Sequence, residues 1–326
     1  MSDHWRPACE LENLRLRAQM LAEIRTFFLQ RQVMEVETPL LCRTTGTDPQ
    51  LDFFATTLDA SPNHTNLYLQ TSPEFAMKRL LAAGSGSIYQ ICKAFRNGES
   101  GRFHNPEFTI LEWYRVNFSL QQLMAEVSEL LQLLLAIVGK KFNVRKISYQ
   151  QFFRESTGLD PLSFDRPAYR DFTCAKGYPE ADSLCGAEHV IWLDFIFSHC
   201  AQPKMPSDCI FLLHDYPAVL PSLARNNQFD PRIAERFEVF INAIELGNGF
   251  YELADPREQE TRFDQEIALR SLRGLKPVAK DRLLLAALQA GLPECSGVAI
   301  GVDRLLMLCA GCPVIEEVLA FPLAKV

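Results

Sequence analysis

From Leu14 to Gln32 apolar residues recur at helical spacing (Leu14, Ala18, Leu21, Ile24, Phe28), which predicts an amphipathic helix near the start of the chain. "VMEVETPLL" follows as a short strand stopped by Pro39, which has no amide to give to a ladder. "NLYLQTSPEFAMKRLLAAG" reads as a strand, a turn at Ser72 and Pro73, and a helix with Glu74 in its first turn and Gly84 at its end. "SIYQICKAF" and "EFTILEWYRVNF" alternate as two strands, and the charged stretch "RNGESGRFHNP" joins them as a hairpin-like connection. Ser119 is suited to cap a long helix running to about Val138.

Residues 140–205 carry mixed helical segments, among them "SYQQFFREST" and "HVIWLDFIFSHC", and read as a mainly helical insertion without visible chemistry. Strand patterning returns in "CIFLLHDYP" and "RFEVFINAIELGNGFYEL". Helices are expected from about Pro256 to Arg273 and from about Asp281 to Ala290, and "SGVAIGVDRLLML" closes as strand, turn and helix. Long strands joined by hairpins, with helices at both ends and between, predict an antiparallel α+β fold rather than regular βαβ alternation. No Gly/Ser-rich or Pro-rich linker divides the sequence, so residues 1–326 are expected to form one large domain carrying the insertion.

Composition narrows the function classes. The 326 residues are 48% hydrophobic and 22% charged, enough to bury a large core without staples. A formal net charge of -7 argues against a surface built to hold a nucleic-acid backbone, which needs clustered Lys and Arg to displace counterions. The first residues lack the basic start and apolar core of a signal peptide, and apolar runs such as Leu133 to Val138 are too short to cross a bilayer. Ten cysteines in that setting read as reduced thiols of a cytoplasmic protein with no membrane partner. Cys309 and Cys312 in "CAGC" have redox or zinc spacing, but there is no second such pair and they follow the apolar run Leu305 to Leu308, so they read as small thiols near a helix end.

Three segments hold residues in excess of what folding requires. Arg96 ends one predicted strand while His104, Asn105 and Glu107 begin the next; guanidinium groups hold phosphate oxygens in pairs, and Phe103 and Phe108 offer ring faces for a nucleobase. A solvated hairpin with salt-bridged tips would carry the same charges. "AIELGNGFYEL" sets Glu245, Asn248 and Glu252 around a Gly-Asn-Gly core, where a kink would point acids into a site for a metal ion and an amine. An exposed edge strand is the competing reading, weakened by the apolar neighbours Ile244, Leu246 and Phe250. In "SGVAIGVDR", Gly297 and Gly301 let a ligand approach the backbone, and Arg304 stands in a first helical turn, where a cation is unfavourable without a functional reason.

The order of these segments resembles a known family. The first helix with "VETP", then "FRN…RFHNPEFTILEWY", then "GVAIGVDR" is similar to motifs one, two and three of class II aminoacyl-tRNA synthetases. "SPEFAMKRLL", "HNPEFT" and "ELGNGFYEL" resemble the lysyl branch, over about Arg17 to Leu308. The motif-one helix begins almost at residue 14, which leaves no room for the anticodon-binding OB-fold of a lysyl-tRNA synthetase. The chain therefore most resembles the lysine ligases of elongation factor P, a shortened family that activates β-lysine with ATP and attaches it to one lysine of that factor. This implies ATP and Mg²⁺, elongation factor P as acceptor, a homodimer through motif one, and no anticodon-dependent tRNA binding.

Carried over position by position, the resemblance makes Arg96, Glu245 and Arg304 the catalytic residues, with Arg96 on the α-phosphate. ATP would also meet Asn97, Gly98, Asn105, the Phe108 ring, the Leu246 backbone and Gly301, and Glu245 would sit at the Mg²⁺. Ser72, Pro73, Glu74, Tyr114, Asn248 and Glu252 would form the amino-acid pocket. Two departures stand out. The family usually has Glu directly after "FRN", whereas this chain has Gly98 and then Glu99, so either Glu99 takes over the nucleotide contact or Gly98 serves through its backbone. Ala299 stands where lysyl-tRNA synthetases usually carry Gly, and its methyl group would reshape the pocket against α-lysine. Two further readings stay open: a truncated synthetase paralogue that charges tRNA or makes a free amino-acid product, and a catalytically dead regulatory paralogue.

Overall fold

The computed structural model describes residues 5–59, 65–220 and 223–326. In chain order these form α1 (Leu11–Gln30), β1 (Met34–Glu35), β2 (Leu41–Cys42), β3 (Ala55–Leu58), β4 (Thr65–Leu69), α2 (Glu74–Ala82), β5 (Ile88–Phe95), β6 (Glu107–Val116) and α3 (Leu120–Ala136). The middle of the chain gives β7 (Asn143–Ser148), α4 (Tyr149–Thr157), α5 (Arg166–Ala175), α6 (Ala181–Cys185), α7 (His189–Ile196) and β8 (Cys209–Pro217). The remainder is β9 (Ile233–Ile241), β10 (Ile244–Tyr251), α8 (Pro256–Leu272), α9 (Arg282–Ala290), β11 (Cys295–Gly301) and α10 (Val302–Ala310). The fold is α+β, as the strand pattern predicts.

Two compact units divide these elements: Met1–Phe118, Leu133–Lys140 and Leu253–Val326 make the first, and Ser119–Gln132 and Lys141–Glu252 the second. In the first, β5, β6 and β11 run antiparallel in that order and the two-residue β1 adds in parallel beside β5. Helix α1 supports this sheet because Phe28 stacks on Tyr89 with ring centroids 4.4 Å apart and meets Trp113 edge-on at 5.4 Å. A small sheet in the order β2-β4-β3 lies in the same unit. Asp255 and Asp281 cap α8 and α9, each accepting hydrogen bonds from two amides of the first turn, so the helix starts fall where these acids occur in the sequence.

In the second unit β8, β9 and β10 are antiparallel and β7 pairs with β8 in parallel. β7 is a strand inside the region expected to be helical; most of its side chains are exposed, so it shows no alternation to read. Helices α4 to α7 bury Phe152, Phe153, Tyr169, Trp192 and Leu193 against Phe211 and Leu213 of β8, forming that unit's core. Asn242 and Ala243 both adopt positive φ, 54° and 58°, and close the β9–β10 hairpin with the left-handed turn that matches strand twist. The register of β10 shifts between Glu245 and Gly247, a bulge at the glycine-flanked segment where a kink is expected.

Candidate active site

In the first unit, motif two is the β5–β6 hairpin. Cross-strand partners share a face, so alternation puts Phe108, Ile110, Glu112 and Tyr114 of β6 together, facing Gly301, Ala299 and Gly297 of β11 in register. The two glycines leave the sheet low on that face, and Ala299 lies directly opposite Glu112. About 13 Å separates the Phe108 and Glu112 positions at roughly 3.3 Å per residue, room for a nucleotide group at one end and an amino acid at the other.

The Phe108 end of this face is cationic. The Arg96 amide extends the hairpin ladder to the Pro106 carbonyl at 2.9 Å. Its guanidinium carbon lies 5.1 Å from the centre of the Phe108 ring. A guanidinium nitrogen stands 3.6 Å from the Glu99 carboxylate, and the buried Nε has no hydrogen-bond partner among the described residues. Gly98 turns the chain at φ +79°, which brings Glu99 back toward Arg96. Arg304 donates from Nε to the Phe103 carbonyl at 3.1 Å, and its terminal nitrogen meets His104 Nε2 at 2.6 Å, so the first turn of α10 is tied to the hairpin loop. No intervening turn precedes α10: Gly301 ends β11 and is itself the N-cap.

Asn97 and Asn105 already have partners. Asn97 donates to Asp52 through its side chain at 2.9 Å and its amide at 3.1 Å, and Lys276 approaches the same carboxylate at 3.4 Å. Asn105 donates to the Glu107 carbonyl at 2.6 Å and accepts from the Leu323 amide at 3.2 Å. Both side chains brace the loop.

The Glu112 end is acidic and buried. Ser72 Oγ accepts from the Glu74 amide at 3.1 Å and donates to Glu112 at 2.7 Å, while Pro73 occupies the N-cap position of α2. Tyr114 donates its hydroxyl to the other Glu112 oxygen at 2.7 Å, and Glu112 is 2% exposed. Glu74 accepts from Lys78 at 2.7 Å. Glu112 and Lys78 escape sequence reasoning; the only signal for Glu112 is one acid inside the apolar run "TILEW". Asp303 is also missed: buried before Arg304, it accepts from Arg17 of α1 and from the Thr109 amide of β6, the latter at 2.6 Å.

In the second unit, Glu245, Leu246, Asn248 and Glu252 lie on β10 and at its end. Asn248 pairs in register with Glu238 of β9, and Phe250 with Arg236. Arg236 and Glu238 form a buried ion pair that sequence reasoning also misses. Burial pushes the Glu238 carboxyl up to about 7; Arg236 opposes this and Glu245 adds to it. Glu252 is buried where the backbone of 224–225 bridges to Tyr251 and Glu252.

Among the described residues no group of three or more His, Cys, Asp or Glu is placed to hold a metal ion. A Mg²⁺ that keeps its waters and arrives on a triphosphate needs only one protein carboxylate, and Glu245 fits that demand. The Cys309 thiol is pushed up to about 11 by burial, opposite to what a redox cysteine needs. No helix among the described residues is long and apolar enough to cross a membrane.

A family model described as tRNA synthetases class II (D, K and N) matches residues 4–325. A Vibrio parahaemolyticus protein named elongation factor P–(R)-β-lysine ligase is 46% identical over 330 residues, 99% of each chain. Proteins of the same name from Enterobacter sp. (strain 638) and Salmonella heidelberg are 46% and 45% identical, each over 97% of both chains.

Proposed function

The chain belongs to the class II tRNA synthetases of the D, K and N type, and from that premise we propose that it activates (R)-β-lysine with ATP and transfers it to the ε-amine of a lysine on elongation factor P. The observation that carries this reading is the 46% identity, over 99% of both chains, to a protein named for that reaction. The geometry supports it. One face of the first unit's sheet has a cation with an unused donor at one end and a hydrogen-bonded acid at the other.

In the first step the amino-acid carboxylate attacks the α-phosphate and pyrophosphate leaves, so negative charge accumulates on phosphate oxygens. Arg96 meets that charge with a guanidinium already oriented by the ladder and by Phe108, which lowers the reorganisation needed. Arg304, held by Phe103 and His104, supplies the second cation at a helix N-terminus. Phe108 offers its ring to adenine, and Gly301 lines the nucleotide. Mg²⁺ bound with ATP would neutralise the triphosphate.

β-Lysine brings two ammonium groups, and each needs an acceptor when it leaves water. Glu74, Glu112 and Tyr114 serve one, with Ser72 orienting Glu112. Ala299, opposite Glu112, narrows the floor and disfavours α-lysine. In the second step the acceptor lysine attacks the acyl carbon and AMP departs, which needs alignment rather than a protein nucleophile. The chain is expected to act as a homodimer in the cytoplasm.

ATP–pyrophosphate exchange over a panel of amino acids tests the reading. Exchange with β-lysine well above α-lysine is expected; preference for aspartate or α-lysine would support the tRNA-charging alternative, and no exchange with any amino acid the regulatory one.

A further inference from the structure

Lys78 is a charge that the reaction does not call for. It lies on α2 one turn beyond Glu74, is 1% exposed, and donates to Glu74 at 2.7 Å. Lysine is almost never buried to this degree, because removing an ammonium from water costs several kcal/mol unless a partner offsets it. The helix does not need it: Met77 and Leu81, buried beside it, pack α2 against Ile88 and Tyr114 with no charge. Its partner Glu74 begins the helix and opens the amino-acid end of the site, and is bonded through its amide to Ser72 and so to Glu112.

The cluster has a simple charge count. Glu74 and Glu112 carry two negative charges and Lys78 one positive, which leaves one net negative charge for one substrate ammonium. Arg79 of α2 is exposed to solvent, and the charged groups on the neighbouring helices are engaged in their own contacts. Glu266 of α8, which lies within electrostatic reach of Glu74, accepts from Thr47; Arg262 of the same helix pairs with Glu258; and Asp281 at the start of α9 accepts from Thr44 and caps that helix.

We propose that Lys78 is a positioning residue that works through Glu74: it occupies one carboxylate oxygen from below, fixes the rotamer, and leaves the other oxygen for one ammonium group of a diamino-acid substrate. The inference rests on the amino-acid activation proposed above. It makes the pocket selective by charge number: a substrate without a free ammonium at this end would leave the cluster uncompensated, whereas one with it completes the cluster.

The test measures ATP–pyrophosphate exchange with β-lysine for the wild type, Lys78→Met, Lys78→Arg, Glu74→Gln and the double variant. Lys78→Met is expected to raise KM for β-lysine by about 10- to 100-fold, the range of a charge-assisted hydrogen bond, while KM for ATP stays within about threefold. Lys78→Arg should recover part of the loss. The double variant should be no worse than Glu74→Gln alone, because Lys78 acts on the substrate through that carboxylate. Additive losses, or equal losses in both KM values, would overturn the inference and make Lys78 a packing residue. Should Lys78→Met fail to fold, the double variant, which carries neither charge, decides the question: it must fold and match Glu74→Gln, and a further loss or failure to fold refutes the proposal. A wild type that activates no diamino acid removes the functional reading and this inference with it, whereas normal wild-type exchange with an unchanged Lys78→Met removes the inference alone.

Discussion

Replacing Asp303 by Asn removes the charge that ties three elements of the first unit together. The carboxylate is 1% exposed and its two oxygens have separate duties, one to Arg17 of α1 and the other to the Thr109 amide of β6 at 2.6 Å. An asparagine can keep one acceptor. Its amide NH₂ would then face the Arg17 guanidinium, donor against donor. Removing one partner of a buried ion pair costs about 3–5 kcal/mol. Arg17 keeps a bond to the Val318 carbonyl at 3.1 Å and its side chain is 18% exposed, so part of that cost is recovered through solvent. Loss of a negative charge from the first turn of α10 adds about 0.3–1 kcal/mol. The expected total is about 2–4 kcal/mol, a large share of the roughly 5–15 kcal/mol that holds typical domains folded. Urea unfolding followed by Trp113 fluorescence, in a Trp5→Phe, Trp192→Phe background, measures this in the first unit, because Trp113 is buried on β6, the strand that also carries Thr109. A change below about 1 kcal/mol would refute the reasoning, as would full additivity with Arg17→Met.

Three other outcomes follow from the geometry. Arg96→Gln should lower the exchange rate about 10²- to 10³-fold, the loss seen when one preorganised donor to a developing charge is removed, with little change in the melting temperature. Gly98→Ala should cost about 1–2 kcal/mol through the positive φ of +79° alone, since a Cβ there meets nothing within 4 Å, and denaturant midpoints would report it. Glu238 is raised by burial from 4.5 to about 7, so between those values the folded state holds a proton that the unfolded state has lost. Stability of the second unit should therefore fall as pH rises from about 4.5 to 7 and level off above, and Glu238→Gln should flatten that slope in thermal melts at several pH values.

Much of this arrangement was legible in the chain because local rules and tertiary demands agree there. β5 and β6 flank a charged connection, Asp255 and Asp281 stand at helix starts, and "FRN" with "HNPEF" puts cations at a strand end. What escaped was set by partners far away in sequence. Asp303 is explained by Arg17 and Thr109, 286 and 194 positions distant, and Glu112 by Ser72, 40 positions distant. An isolated acid in an apolar strand can be read as a possible site, but its hydrogen-bond donors cannot be named from spacing. β7 and β3 were missed for the opposite reason: their faces are mostly exposed, so no hydrophobic period marks them. The displaced acid after "FRN" is the clearest case in which the fold adds to the pattern, since the left-handed turn at Gly98 returns Glu99 to within 3.6 Å of Arg96.

The measurement closest to the central claim is mass analysis of elongation factor P after incubation with this protein, ATP and (R)-β-lysine. One lysine of the factor should gain a single β-lysyl group through an amide bond, with AMP and pyrophosphate released in equal amounts. An unmodified factor, with the amino acid recovered on tRNA or released free, would contradict the account.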